Sequence, residues 1–185
     1  TPAALLPTAS LQATIYNSNP TIEGWGNIGV QGYSRVNLTL TGAGIKGSTI
    51  TTMSVSGEGV NRTQTFNTAT ATLTTQSSII NNKGILYYNT DVVDSRGKHA
   101  VTQSRAVSIH EYSPPTIDVT SLKRCQQDGT EDSSGRWLLP VFDYDYKTCD
   151  NYNTASTYVR YKKHRLQRGT STKETSPYEP LSQIE

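Results

Sequence analysis

The feature that most limits what this chain can become is alternation. In "RVNLTLT" Val36, Leu38 and Leu40 fall on one side and Asn37, Thr39 and Thr41 on the other. A period of two belongs to a strand with one buried face. "TMSVS" repeats the pattern with Met53 and Val55, "ATATL" with Ala69, Ala71 and Leu73, and "LYYNTDV" with Leu86, Tyr88, Thr90 and Val92. "AVTQSRAVSI" aligns Val101, Gln103, Arg105, Val107 and Ile109, with a polar middle. Helical periodicity is hard to find. The segments between are turn chemistry: "GAGIKGS", "GEGVN" and "NNKG". Short strands with turns every ~8–12 residues predict an all-β chain of antiparallel β-sandwich type.

Composition fits that reading. Apolar residues with Tyr counted make up 34% of the 185 positions. Typical globular domains reach roughly 45–50% on a count that takes in Gly instead of Tyr. Thr, Ser, Asn and Gly fill the difference, as expected where only one face of each strand meets a core. A net charge of +2 is too small to imply nucleic acid. No apolar run approaches a membrane span, and "AALL" is too short for a signal-peptide core and lacks a basic flank. The chain begins at Thr rather than Met, which reads as an excerpt of a longer protein. Cys125 and Cys149 are compatible with one bridge or with two free thiols. Neither a metal-ligand spacing nor a Cys-His nucleophile signature surrounds them.

The alternation breaks at "HEYSPPTI". Pro114-Pro115 cannot donate ladder hydrogen bonds and favours a stiff, extended connection. The expected organisation is 1–18 as a linker or the end of a preceding module, 19–112 as an Ig-like β-sandwich, 113–168 as a smaller β-rich domain, and 169–185 as a polar tail or linker. The smaller domain has three strand candidates: "TIDVTSL", "WLLPVFDYDY" and "STYVRYKK". In the second of these, Phe142, Tyr144 and Tyr146 share one face and are expected to be the core of a thin sandwich. Asp143 and Asp145 share the other.

Four groups of residues invite a chemical reading. "DVVDSRGKHA" packs Asp94, Ser95, Arg96 and His99 together. Triad members are assembled in space, and neighbours on a strand point opposite ways, so adjacency argues against catalysis. Asp94 at the start and Gly97 at the fourth position suit a type I turn followed by a left-handed residue. These two are therefore read as structural turn residues. The acidic set Asp128, Glu131, Asp132, Asp143, Asp145 and Asp150 lacks calcium-loop spacing and reads as solvated turn chemistry. The basic run Lys162, Lys163, Arg165 and Arg168 reads as a solvated strand end and coil. Within it Tyr158, Arg160 and Lys162 share a strand face and are the candidate receptor contact. Trp25, between two glycines, is expected to pack.

A resemblance adds to this. "NPTIEG", "VQGYSRVNLTLTGAGIKGSTI", "DVVDSRGKHA" and the strand into "YSPPTI" occur in an order and spacing that resemble a module repeated in minor structural proteins of siphovirus tails. "KRCQQDGTEDSSGRW" followed by "NTASTYVRYKK" is similar to the next such module, and "LPTAS" resembles the exit of a preceding one. The resemblance covers about four-fifths of the chain. It implies tandem Ig-like β-sandwich domains joined by a short proline linker, and a structural role near the host-binding end of the tail. The implied partners are other tail or virion proteins, with host cell-wall glycan or an anionic wall polymer as further candidates. No catalytic residue, cofactor, metal, nucleic acid or membrane partner is expected. The alternatives are a module of a bacterial cell-surface adhesin and an accessory carbohydrate-binding module of a glycan-active enzyme, because fold does not fix function.

Overall fold

Thr8–Tyr16 opens the regular structure as β1 and pairs along its whole length with β3, Arg35–Ala43. The computed structural model describes residues 5–156, 160–161, 164–166, 173–175 and 179–180. Among these the chain is all-β in several antiparallel sheets, apart from one 3₁₀ turn at Glu23–Trp25. Two compact units are present, Thr1–Asn153 and Thr154–Glu185.

In the first unit, β1 and β3 are joined by β6, Thr70–Gln76, in the order β1-β3-β6. A second sheet holds β2 (Gly29–Val30), β4 (Ile50–Gly57), β5 (Val60–Thr68), β7 (Gly84–Asp94) and β8 (Ser104–His110), in the order β2-β8-β7-β4-β5. The short β2 runs parallel to β8, and the other pairings are antiparallel.

The alternating residues explain why the two sheets meet. Leu11, Val36, Leu38, Leu40 and Leu73 point from the first sheet into a core shared with Ile50, Met53, Val55, Tyr88, Val92, Val107 and Ile109 from the second. This is two-layer packing of the sandwich kind, with one apolar face per sheet. Tyr88 is fully buried, and its hydroxyl donates to Glu58 O at 3.1 Å, which satisfies the one polar atom it carries inward. A smaller cluster of Ile22, Val30 and Cys149 lies beside it, packed with Trp25, Ile28, Tyr33 and Tyr112. Trp25 is thus packed, as expected, and its ring lies 6.0 Å from that of Tyr152.

Several expectations are corrected. Residues 8–16, read as linker or the exit of a preceding module, form β1, and Leu11 is completely buried. β5 was not anticipated, because an edge strand such as "VNRTQTFNT" buries little and shows no apolar alternation. Ala69 is exposed in the link between β5 and β6 rather than inside. Val101 is 68% exposed, because the segment before β8 is held out by hydrogen bonds between Thr90 and Gln103 and is not part of the strand.

After Pro114-Pro115 the chain forms a two-stranded ribbon from β9 (Thr116–Cys125) and β10 (Trp137–Asp145), with a bulge at Thr120. The proline pair itself lies inside the first compact unit. The expected thin core around Phe142, Tyr144 and Tyr146 is absent: Tyr144 is 60% exposed and the other two are half-buried. Among the described residues of the first unit, the two-stranded ribbon has no further layer across that face.

In the second unit, β11 (Arg160–Tyr161) pairs with β14 (Glu179–Pro180), and β12 (His164–Leu166) pairs with β13 (Lys173–Thr175). Short strand pairs therefore occupy part of the expected polar tail. Tyr158 and Lys162 lie outside the described residues, and Arg160 is placed by its backbone alone.

Candidate functional site

The Asp94–Gly97 turn closes the β7 end of the core. Gly97 N donates to Asp94 O at 2.9 Å, and Asp94 N donates to Lys98 O at 3.0 Å. Gly97 sits at φ 69°, the left-handed region open to glycine at no steric cost. Turn and glycine are as the sequence suggests. Asp94 goes further than a turn residue needs, being 1% exposed. Its Oδ1 accepts the amides of Arg96 (2.9 Å) and Lys98 (3.0 Å). Its Oδ2 accepts Arg96 Nε (2.9 Å), Arg96 Nη2 and the Ser48 hydroxyl (3.1 Å). Burial pushes the carboxyl up, but the Arg96 guanidinium, the two amides and Ser48 together pull it down to about 2.

The remaining polar groups of this stretch do not converge on one another. Ser95 Oγ accepts the Thr49 amide at 3.2 Å. His99 Nδ1 lies 2.7 Å from Asp91 Oδ1, on the exposed side of β7. Among the described residues no hydrogen bond joins Ser95 to His99, and of the five donors on Asp94 four, from Arg96 and Lys98, fix the turn, while the Ser48 hydroxyl comes from the loop after β3. The arrangement locks a hairpin to the loop after β3 and, through Arg96 Nη2 to Leu5 O at 3.0 Å, to the chain before β1.

The acidic set is dispersed. Asp128 Oδ1 accepts the Thr130 amide, Asp132 Oδ1 accepts the amide and hydroxyl of Ser134, and Glu131 pairs with Lys123. These local bonds hold Asp128 and Asp132 below the usual carboxylate range. No group of three or more His, Cys, Asp or Glu converges among the described residues. Cys125 and Cys149 are buried free thiols.

Two surfaces stand out that the sequence reading did not single out. On one face of the ribbon Ile117, Val119, Leu122, Leu138 and Tyr144 are each 58–63% exposed. The other is the outward face of the first sheet. Register places Thr8, Ala43 and Thr70 in one row, Ser10, Thr41 and Thr72 in the next, then Gln12, Thr39 and Thr74, then Thr14, Asn37 and Gln76. None of these twelve side chains is charged, and the same face continues one row further with Tyr16 beside Arg35. The alternation in "NLTLT" and "TATLT" contains the signal, but it was read for its buried half.

Two shallow depressions lie on this face. One, of about 330 Å³, is lined by Thr8, Ser10, Thr41, Ala43, Thr70 and Thr72. The other, of about 370 Å³, is lined by Asn37, Thr39, Thr74 and Gln76. The Gln76 amide donates to Asn37 Oδ1 at 2.7 Å, while Thr14, Thr39, Thr72 and Thr74 spend no side-chain hydrogen bond on the described protein. No family model, no curated protein and no solved structure matches the chain.

Proposed function

We propose that this chain is a structural, non-enzymatic segment of a phage tail-tip or fibre protein, a spacer made of Ig-like β-sandwich modules in series. The observation that carries the reading is the path of the chain through the first module. It enters at the Asp94 turn, where Arg96 holds Leu5 O. β1 then runs alongside β8 in the same direction: Arg105 Nε donates to Leu11 O at 2.9 Å, and Ile15 and Ile109 both flank Gly29. The chain leaves at the opposite end, beyond His110, and Pro114-Pro115 leads it into β9. A module that takes in chain at one end and releases it at the other adds length in line. A nine-residue strand adds roughly 30 Å.

Strand order supports the Ig-like reading. β1-β3-β6 against β8-β7-β4, with β5 outside β4, corresponds to the A-B-E and G-F-C arrangement of immunoglobulin domains with an added C′ strand. The inter-sheet disulfide of antibody domains has no counterpart, since both cysteines lie after β8. In this reading β9–β10 begins the next module.

The test is localisation. Antibody raised against the chain should label tail tips of intact virions in electron micrographs. Label confined to bacterial walls overturns the proposal in favour of a surface adhesin.

A further inference from the structure

Beyond β10 a short run of backbone is held in a conformation its residues do not choose for themselves. Cys149, Asp150 and Asn151 take φ 46°, 60° and 65°, the only successive non-glycine residues in the left-handed region among those described. Residues with a Cβ enter that region singly and at a cost, Asn and Asp least reluctantly. Asp150 and Asn151 are therefore tolerable choices, and Cys149 is not. Strain of this kind persists only where surrounding contacts impose it.

Those contacts come from both sides. Asn153 closes the turn, its backbone amide donating to Thr148 O at 2.8 Å and its side-chain amide to Lys147 O at 2.6 Å. Cys149 is 4% exposed beside Ile22 and Val30, and its Sγ donates to Glu111 O at 3.5 Å. The Tyr152 ring lies 6.0 Å from that of Trp25. The receiving surface is itself braced: Asn17 Nδ2 donates to Gly26 O and Ile28 O, and Asn17 Oδ1 accepts the Ser34 hydroxyl at 2.6 Å. Tyr112 packs on the same cluster, edge-on to Tyr33 with ring centres 5.0 Å apart.

Tyr112 and Cys149 are thus the two feet of the β9-β10 ribbon. β9 leaves from beyond Tyr112, β10 returns toward Cys149, and Trp137 pairs with Cys125 at the far tip, roughly 30 Å along the strands. No side chain of β9 or β10 belongs to either apolar cluster of the module.

We infer that the 148–153 turn is a latch. Docked, it pins the second foot of the ribbon beside the first and fixes the ribbon's direction. Undocked, its backbone relaxes out of the left-handed region, and residues 111–115 alone carry the ribbon, which then swings. Cys149 makes the latch sensitive to thiol chemistry, because a group added to Sγ excludes the side chain from its seat and holds the latch open. The latch stands apart from the placement of the chain in a virion.

The experiment uses the full chain with Cys125→Ala and Trp25→Phe, which leaves Cys149 as its one thiol and Trp137 as its one tryptophan. The probe is N-ethylmaleimide: the thiolate adds across the double bond, and water supplies the proton to the adjacent ring carbon. Asn151→Val alters an exposed side chain and disfavours the left-handed turn. It should raise the labelling rate of Cys149 by about tenfold or more, with the melting temperature preserved. Asp150→Gly relieves strain and should lower the rate by about fivefold. Labelled chain should show faster decay of Trp137 fluorescence anisotropy than unlabelled chain. Four results overturn the inference: Asn151→Val labelling at the unsubstituted rate, a faster rate matched by a fall in melting temperature, Asp150→Gly labelling no more slowly, or Trp137 anisotropy indifferent to the label.

Discussion

Ser48 and Asp94 meet across the end of the core, 46 positions apart in sequence, with the serine hydroxyl 3.1 Å from the buried carboxylate. The same hydroxyl oxygen accepts the Ile45 amide at 3.0 Å. The loop after β3 and the turn after β7 are therefore fastened through one charged group. A carboxylate with this many donors is stabilised as the anion and becomes a liability once protonated.

The acid dependence follows. The Asp94 carboxyl lies at about 2 in the fold against an ordinary value of 3.8. A depressed folded-state value means the stabilisation is complete above the unfolded value and is lost as pH falls toward the folded one. Asp94 should contribute fully at neutral pH and lose its contribution from about pH 4 down to about pH 2. Denaturation followed across that range should show a steeper loss in wild type than in Asp94→Asn. Parallel curves would remove Asp94 from the account of acid stability.

Substitutions in the turn should rank by backbone and burial, not by catalytic type. Gly97→Val places a β-branched residue at φ 69° and should cost about 1–3 kcal/mol. Asp94→Ala removes the acceptor of five hydrogen bonds, the amides of Arg96 and Lys98 among them, and should destabilise more than any other single change in the turn. His99→Ala should stay within about 0.5 kcal/mol of wild type, and Ser95→Ala within about 1 kcal/mol. Urea titration of the four variants, with a hydrolase screen on the same samples, checks the order. A hydrolytic activity lost in Ser95→Ala without loss of stability would reverse it.

β1 belongs to the core, so its inward residues should be sensitive. Leu11 is completely buried between the sheets, and Leu11→Ala should cost about 2–5 kcal/mol. Gln12→Ala, one position on and exposed, should be near neutral. Equal and small effects in calorimetry would return residues 8–16 to the status of linker.

The thiols should be slow. Cys149 is 4% exposed, its Sγ lies 3.5 Å from Glu111 O, and burial pushes its titration up. Thiolate is the reactive form, so at neutral pH neither access nor ionisation favours attack. An aromatic disulfide reagent should label the native chain slowly and both cysteines promptly in denaturant. Rapid labelling of Cys149 in the native chain would contradict its packing.

Alternation alone determined which side of each central strand faces inward. Val36, Leu38, Leu40, Met53, Val55, Tyr88 and Val92 are all buried, because a strand half in water must place apolar residues at every second position. The Asp94–Gly97 turn was legible for the same kind of reason, since its geometry is local and glycine alone takes it at no cost. Edge strands gave less away. β5 buries too little to show a pattern, and the apolar set of β1, Ala9, Leu11, Ala13 and Ile15, is diluted by alanines. What tertiary structure decided was everything that depends on distant partners. Ser48 reaches Asp94, Cys149 packs among Ile22 and Val30, and three strands from separate parts of the chain line their outward threonines into one face. A sequence read one strand at a time shows which residues turn outward. Only pairing register shows which of them stand side by side, because neighbours across strands are fixed by hydrogen bonds between segments far apart in the chain.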